Sequence, residues 1–519
     1  MKRISGEDYS GRVNRTPAAE RVRYRAEPSV LTALRSPRLL TREALAGIVV
    51  ALALIPEAIA FSVIAGVDPK VGLFSSFIMA VTIAFVGGRP AMISAATGAV
   101  ALVIAPVAPT YGMDMFIATV ILAGIFQILF AVLGVAKLMR FIPRSVMVGF
   151  VNSLAILVFL SQLPHLIGVP WPVYPLVVLG IAILVLFPKL TKVVPAPLIA
   201  VVVVTLVVVV ARIAVPTVGD QGELPRSLPE LFIPHVPITW ETFTIIAPFA
   251  FAMALVGLME SLMTAKLVDE ITDTHSNKTR ESWGQGVANM ASGLFGGMGG
   301  CAVIGQTMIN VKASGARTRI STFLAGVFLL VLIVALGDIV ALIPMAALVS
   351  VMIMVSIGAF DWHSIQPATL RRLPKSETLV MLATVALVVA THNLAIGVIG
   401  GVLIASVLFA RRVARVVDVR RELRSEGGIA GSLAHYTVTG ELFFASSNDL
   451  TTLFEYHRDP KHVVIDLTGA HVWDASTVAA LDAIETKYAQ YGATVEFVGM
   501  NPDSQTMHRR LTGELGGSV

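Results

Sequence analysis

Along most of the chain, apolar residues run in long blocks instead of alternating with polar ones. Blocks such as Leu45–Gly66, Met115–Val135 and Ile320–Leu336 reach or approach the roughly 20 apolar residues that a bilayer-spanning helix needs. Combined with turn signals, the pattern predicts fourteen spans, near residues 45–66, 71–87, 93–107, 115–135, 145–168, 173–188, 194–215, 243–265, 284–298, 302–312, 319–336, 338–358, 376–391 and 393–410. After Arg424 the texture changes. Ser425-Glu426-Gly427-Gly428 reads as a linker, followed by alternating strands (436–444, 463–467, 494–498) and helices (447–457, 476–491, 503–515). The expected fold class is an all-α polytopic membrane domain followed by a small cytoplasmic α/β domain with a parallel-rich sheet. The domain boundaries expected are 1–42 for a charged N-terminal segment, 43–411 for the transmembrane domain, 412–433 for a linker and 434–519 for the α/β domain.

Charge gives the spans a direction. Alternate connections carry the basic residues: Arg89; Lys137, Arg140 and Arg144; Lys189 and Lys192; Lys278 and Arg280; Lys312, Arg317 and Arg319; Arg371, Arg372 and Lys375; Arg411, Arg412 and Arg415. The intervening connections hold Lys70, Arg226 and little else. By the positive-inside rule both termini are expected in the cytoplasm of a bacterial inner membrane. Composition agrees: 55% of the 519 residues are hydrophobic and 14% charged, against about 25% charged in soluble proteins. The net charge of +5 sits at span ends, and no nucleic-acid recognition motif accompanies it, so nucleic acid is excluded as a partner. The single cysteine, Cys301, leaves no disulfide framework and no cysteine zinc site.

Two expected spans, 93–107 and 302–312, are too short to cross a hydrocarbon core of about 30 Å. Each follows a glycine-rich approach, Gly87-Gly88-Arg89-Pro90 and Gly296-Gly297-Met298-Gly299-Gly300. Non-helical backbone at membrane depth persists only beside protein or a cavity, and matched interruptions in two halves of a chain point to a transporter's binding site. As the third and tenth of fourteen, they are equivalent in two inverted repeats of seven. Their helix N-termini, near residues 97 and 304, can face an anion with free N–H groups and positive partial charge.

Two carboxylates fall well inside spans, Glu57 in Ile55-Pro56-Glu57-Ala58 and Glu260 in Leu258-Met259-Glu260-Ser261. A charge at the bilayer centre costs about 2.5–3.5 kcal/mol on insertion scales, which points to function. Beside an anion, a carboxylate that repels it when ionised and not when protonated is a coupling device. Thr264, one turn after Glu260, gives an oxygen pair suited to Na⁺ as well as to H⁺. Pro56 predicts a local break beside Glu57. Gln127, Asn152, Gln162, Gln285 and Asn289 read as interhelical hydrogen-bonding groups, whereas Gln306 and Thr307 occupy the early turns of the broken tenth span.

The stretch from Ile55-Pro56-Glu57-Ala58-Ile59-Ala60-Phe61-Ser62 to Ala65-Gly66-Val67-Asp68-Pro69-Lys70-Val71-Gly72-Leu73-Phe74-Ser75-Ser76 resembles the signature of the SulP (sulfate permease) family, the bacterial relatives of solute carrier family 26. Ser314-Gly315-Ala316-Arg317-Thr318 resembles its loop after the tenth span, and the C-terminal domain resembles its STAS domain. The resemblance implies a core moving against a gate, usually in a homodimer, with an anion site between spans 3 and 10. By position, that shell would comprise Ser94, Ala95, Ala96, Thr97 and Gly98 with Cys301, Ala302, Val303, Ile304, Gly305 and Gln306. The arginine of many animal members near the start of span 10 is missing, since Gln306-Thr307 stand there. Glu57 is similar to the span-1 glutamate of proton-coupled dicarboxylate importers. Glu260 and Thr264, with Gly305 and Thr307, are similar to the cation site of sodium-dependent bicarbonate members.

In the resembling anti-sigma-factor antagonists, the loop after the central strand carries a phosphorylated serine after an aspartate. Here it reads Val472-Trp473-Asp474-Ala475-Ser476-Thr477, with Ala475 in the acceptor position and Ser476 expected as a helix N-cap. An interaction, dimerisation or trafficking role without phosphorylation is expected, through cytoplasmic protein partners. The function expected is secondary active transport of a small inorganic or organic anion, such as sulfate, bicarbonate or a dicarboxylate, with membrane lipid as surroundings. Coupling by H⁺ is favoured, with Glu57, Glu260, Thr264 and Thr307 as coupling residues and no cofactor. The alternatives are sodium-coupled bicarbonate symport, an uncoupled anion channel and a membrane-anchored STAS regulator. No catalytic constellation is visible, so an enzyme is not expected.

Overall fold

Proline opens two of the apolar helices long enough to cross a membrane, Pro37–Ile64 and Pro69–Val86, where its missing N–H costs nothing and its fixed φ suits the first turn. The computed structural model describes residues 28–134, 137, 142–190, 195–414, 417–426 and 429–513. The expected N-terminal segment up to residue 27, Arg140, Lys192, Arg415, the Gly427-Gly428 part of the linker and the last residues of the final expected helix lie outside the described residues.

Two compact units divide the chain, one holding residues to Arg372 with Met381–Ile399, the other Leu373–Val380 with the residues from Gly400. In chain order the elements are α1 Val30–Arg35, α2 Pro37–Ile64, α3 Pro69–Val86, β1 Ser94–Ala95, α4 Gly98–Ile104, α5 Val107–Tyr111, α6 Met113–Val132, α7 Arg144–Leu160, α8 Val173–Leu190, α9 Ala196–Ala211, α10 Trp240–Thr272, α11 Lys278–Leu294, β2 Cys301–Ala302, α12 Ile304–Met308, α13 Arg319–Ala335, α14 Gly337–Ala341, α15 Met345–Ala359, α16 Pro367–Arg372, α17 Lys375–Thr391 and α18 Leu394–Ala414. Among the described residues, seven helices are long and apolar enough to cross a membrane, and four shorter apolar helices accompany them. Each expected span overlaps helix among the described residues. Spans 93–107 and 302–312 each begin with a two-residue strand and continue as short helix, the second passing into a π turn at Ile309–Ala313.

Within the helical unit, Pro56 departs from expectation. Helix α2 runs through Pro56 without interruption, so the break expected beside Glu57 is not formed. A proline removes one hydrogen bond, and 28 helical residues packed on both sides hold the remaining ladder in place.

Two sets of helices share the first unit. One packs α2, α3, α4, α6, α10, α11 and α13 against one another; the other packs α7, α8, α9 and α15. Where they meet, Val50, Leu54 and Ile59 of α2 join Val177 and Leu184 of α8, Val201 and Val204 of α9 and Val349 of α15 in one buried aliphatic cluster.

The second unit carries the sheet. Strands β3 Asp418–Glu426, β4 Ile429–Leu442, β5 His462–Val472 and β6 Thr494–Val498 lie in that order, β3 antiparallel to β4 and the rest parallel. Helices α19 Phe444–Leu450, α20 Ala475–Gln490 and α21 Pro502–Leu511 complete it. Strand β3 falls inside the 412–433 stretch read from sequence as linker, because Leu423 and its neighbours pair with Ala434 and the rest of β4. Tyr436, Val438, Ile465, Leu481 and Tyr488 form its core. The Asp459 carboxylate accepts hydrogen bonds from the Tyr436 and Tyr488 hydroxyls and pairs with Arg421 at 2.7 Å, fastening β3 to the sheet. Burial and the hydrogen bond to Asp459 push the Tyr488 phenol far above the usual tyrosine range; burial raises Tyr456 to about 12.

Candidate functional site

Glycine and small residues let two extended segments cross inside the helical unit. Ser94 pairs with Ala302 and Ala95 with Cys301, antiparallel, and Val303 N donates to Ile93 O at 2.8 Å. A Cβ at Gly300 would lie 1.9 Å from the Ala95 carbonyl oxygen, so the crossing requires glycine there. Helix α4 starts directly after β1 and α12 directly after β2. Thr97 caps α4, its hydroxyl accepting from Val100 N at 3.5 Å, while the first turn of α12 has no side-chain cap.

The crossing brings together residues more than 200 positions apart. The Cys301 thiol donates to Glu260 Oε2 at 2.9 Å and lies 3.0 Å from Thr97 Oγ1, so Thr97, Cys301 and Glu260 form one buried line. Ser261, next to Glu260, accepts from Ala302 N at 3.0 Å. Ala95, Ala96, Gly98 and Ala302 are buried backbone-forming wall, with Gly98 set against the Phe61 ring. Val303 is almost buried, Ile304 half-buried and Gly305 exposed; a Cβ at Gly305 would meet no atom within 4 Å. Glu57 is half-buried and within hydrogen-bonding range of the Gln306 side chain, whose Oε1 is buried without a hydrogen-bond partner. Open space therefore lies at Gly305, next to the partly exposed Ile304, while Gln306 stays buried beside the partly exposed Glu57.

Of the four residues read as a possible Na⁺ site, the two threonines bond main-chain groups. Thr264 Oγ1 donates to the Glu260 main-chain oxygen at 2.8 Å, and Thr307 Oγ1 accepts from Ile93 N at 3.0 Å. Each hydroxyl keeps an oxygen lone pair free beside its backbone bond, while Gly305 faces open space. Among the described residues, no group of three or more His, Cys, Asp or Glu side chains could hold a metal ion.

Sequence reasoning missed several groups around this crossing. Glu281 is fully buried and accepts from the backbone N–H groups of Gly88 and Arg89 at 2.7 and 3.0 Å. Ser76 accepts from Ala96 N at 3.2 Å, and Arg89 reaches Asp269 at 3.1 Å. Glu281 stands one turn before Gln285 and two before Asn289, a spacing legible in the sequence but not singled out. In the second unit, Asp474 and not Ser476 caps α20. The carboxylate accepts from Thr477 N at 3.1 Å, which leaves Ser476 exposed as the second helical residue.

The helices and the attached sheet define a multi-pass α-helical membrane protein with an α/β domain. The model of the sulfate permease family matches residues 40–174 and 171–384, and that of the STAS domain matches 422–512. The chain belongs to the sulfate permease family, a family of anion transporters and not of enzymes. It is 48% identical over 470 residues to YbaR of Bacillus subtilis (strain 168), whose own sulfate assignment is provisional, covering 91% of this chain and 96% of YbaR. It is 29% identical to the bicarbonate transporter BicA of Picosynechococcus, over 71% of this chain and 70% of BicA. The solved transmembrane domain of a cyanobacterial BicA superposes with a TM-score of 0.61 at 25% identity, covering 71% of this chain and 98% of that one. The murine anion transporter Slc26a9 superposes with a TM-score of 0.78 over 94% of this chain and 88% of its own. At 15% identity that likeness is one of fold.

Proposed function

We propose that the protein is a secondary active transporter of a small oxyanion, sulfate or bicarbonate in the first place and a dicarboxylate in the second, held beside the crossing of β1 and β2. The observation that carries this reading is the open space at Gly305 in the uncapped first turn of α12, with the partly exposed Glu57 carboxylate near the buried, unpartnered Gln306 side chain. Backbone N–H groups attract an anion there without an arginine, while an ionised Glu57 repels it. Protonation of Glu57 admits the anion, which couples the two fluxes. The line Glu260–Cys301–Thr97 carries the second carboxylate to the opposite side of the same shell.

H⁺ is favoured over Na⁺ because Glu260 sits in a protic chain, its Oε2 accepting from the Cys301 thiol at 2.9 Å with the Thr97 hydroxyl beyond it. Bicarbonate keeps its place beside sulfate because BicA relatives span most of the chain. We place the protein in a bacterial inner membrane with both termini cytoplasmic, with fourteen spans in two inverted repeats and as a homodimer. The short apolar helices and the basic residues of alternate connections support this topology. The STAS domain is a contact surface for cytoplasmic proteins.

Reconstitution in proteoliposomes tests the reading. Radiolabelled sulfate and bicarbonate are offered under an inward proton gradient, an inward sodium gradient, or neither. Accumulation driven by the proton gradient supports it; flux that ignores both gradients is that of a channel and overturns it.

A further inference from the structure

Helix α11 supplies no residue to the expected anion shell, yet its buried face carries Glu281, Gln285 and Asn289 one turn apart, followed by Ser292. Their partners are not chiefly other helices. Glu281 holds the backbone of Gly88 and Arg89, on the approach to β1, and accepts from Gln285 Nε2 at 2.8 Å. Gln285 Nε2 also donates to Ser94 Oγ at 2.7 Å, in β1 itself. Asn289 brackets Gly300: Oδ1 accepts from its N–H at 2.7 Å, and Nδ2 donates to its carbonyl at 3.1 Å. Ser292 Oγ accepts from Gly299 N at 3.1 Å. One rigid helix thus grips both extended segments, whose backbone groups have no helical partners of their own at membrane depth.

We propose that Gln285 and Asn289 are positioning residues for anion binding. They fix the approaches to β1 and β2 against a common ruler and so set the register of the shell on both sides of the crossing, without touching the anion. Two features distinguish this from ordinary interhelical bonding. Gln285 keeps Oε1 buried with no partner while its Nε2 serves Ser94 and Glu281, so the amide is oriented toward the strand at the cost of an unsatisfied group. Asn289 makes its two backbone bonds at Gly300, the residue whose close approach to Ala95 defines the crossing, and Gln127 of α6 anchors it from behind through Nδ2 at 2.8 Å. Binding constellations need placement within about 0.5 Å, so loosening either grip lowers affinity.

The inference rests on the reading that the shell at the crossing binds the anion, and the experiment separates the two. Full-length protein in proteoliposomes is assayed for initial uptake of sulfate and of bicarbonate, per mole of monodisperse protein. Gln285→Ala and Asn289→Ala are expected to raise KM about 10-fold while the maximal rate stays within about 2-fold. Gln127→Ala, which leaves every bond to the crossing in place and removes only the anchor of Asn289 and one bond to Ala254, is expected to raise KM about 3-fold. Asn152→Ala, a buried amide bonded to Ser364 and Asp361 away from the crossing, should leave KM unchanged. Gln285→Ala and Asn289→Ala with wild-type KM, or with KM and rate shifted as in Asn152→Ala, overturn the proposal. If those variants fail to fold, a wild-type KM in Gln127→Ala overturns it. Gly305→Leu fills the open space itself; unchanged KM in that variant overturns the underlying reading instead.

Discussion

The two helix sets of the first unit are built on opposite principles. In the set around α10 and α11, neighbouring segments are tied by directional bonds: Asn289 to Gly300, Gln285 to Ser94, Ser75 to Gly299, Ser261 to Ala302. In the set of α7, α8, α9 and α15, contact is made largely by branched aliphatic side chains such as Val177, Leu184, Val201, Val204 and Val349. Dispersion contacts have no preferred direction, so an aliphatic face can slide with modest loss, whereas each hydrogen bond fixes a register. The polar set is therefore suited to hold a site unchanged, and the aliphatic boundary along α2 to let that set move as a body. Hydrogen bonds between membrane helices average only about 0.6 kcal/mol each, so rigidity comes from their number and mutual geometry.

The same small-to-larger change in both sets should break this contrast most visibly. Gly300→Ala puts a Cβ 1.9 Å from a main-chain oxygen, which cannot rotate away. Uptake should fall about 100-fold, as expected for an ångström-scale displacement of a site. Gly180→Ala on α8 clashes only with the Ser350 side chain, including its Cβ at 2.7 Å, which a small slide of the aliphatic face relieves, and uptake should stay within about 3-fold. Equal losses in both would erase the distinction between the sets. A smaller effect follows at Cys301. Cys301→Ala severs Glu260 from Thr97 and should lower the proton-driven component of uptake about 10-fold, while Cys301→Ser, which keeps a donor, restores it. Failure of serine to rescue would assign Cys301 to packing alone.

How much of this was legible beforehand follows from where the partners lie. Apolar blocks sit contiguously in the chain, so Pro37–Ile64 and Trp240–Thr272 are located from sequence as 45–66 and 243–265, missing the polar turns at one end of each. The glycine runs before β1 and β2 marked both interruptions for the same reason. Gln285 and Ser94 are 191 positions apart, and nothing local in either says that they bond. Gln285 and Asn289 consequently read as generic interhelical groups, and Glu281 did not register at all. Pro56 misled because a local rule about one hydrogen bond was outweighed by the packing of a long helix. Ser476 misled because Asp474, two residues earlier, is an equally good cap and its extended backbone places its carboxylate at Thr477 N.

Two further tests reach progressively smaller effects. Asn152→Ala removes two buried bonds in the aliphatic set, to Ser364 and Asp361, and should cost about 1 kcal/mol of thermal stability in detergent with affinity intact. In the second unit, burial and hydrogen bonding raise the phenol pKa values of Tyr456 and Tyr488. Their contribution is complete below the unfolded value near 10 and is lost as pH climbs from there through the folded values, near 12 for Tyr456. Trypsin cleavage within residues 418–513 of the full chain should thus stay slow to about pH 10 and accelerate only above it. Acceleration already at pH 8 would contradict that assignment.

The most direct test of the central claim, an anion seated in the open space beside α12, is thiol protection at Gly305. Gly305→Cys in a Cys301→Ser background is labelled by a membrane-permeant thiol reagent at increasing sulfate or bicarbonate. The account predicts that the transported anion slows labelling, half-maximally near its KM, and that an untransported anion does not. A labelling rate indifferent to saturating concentrations of the transported anion would contradict it.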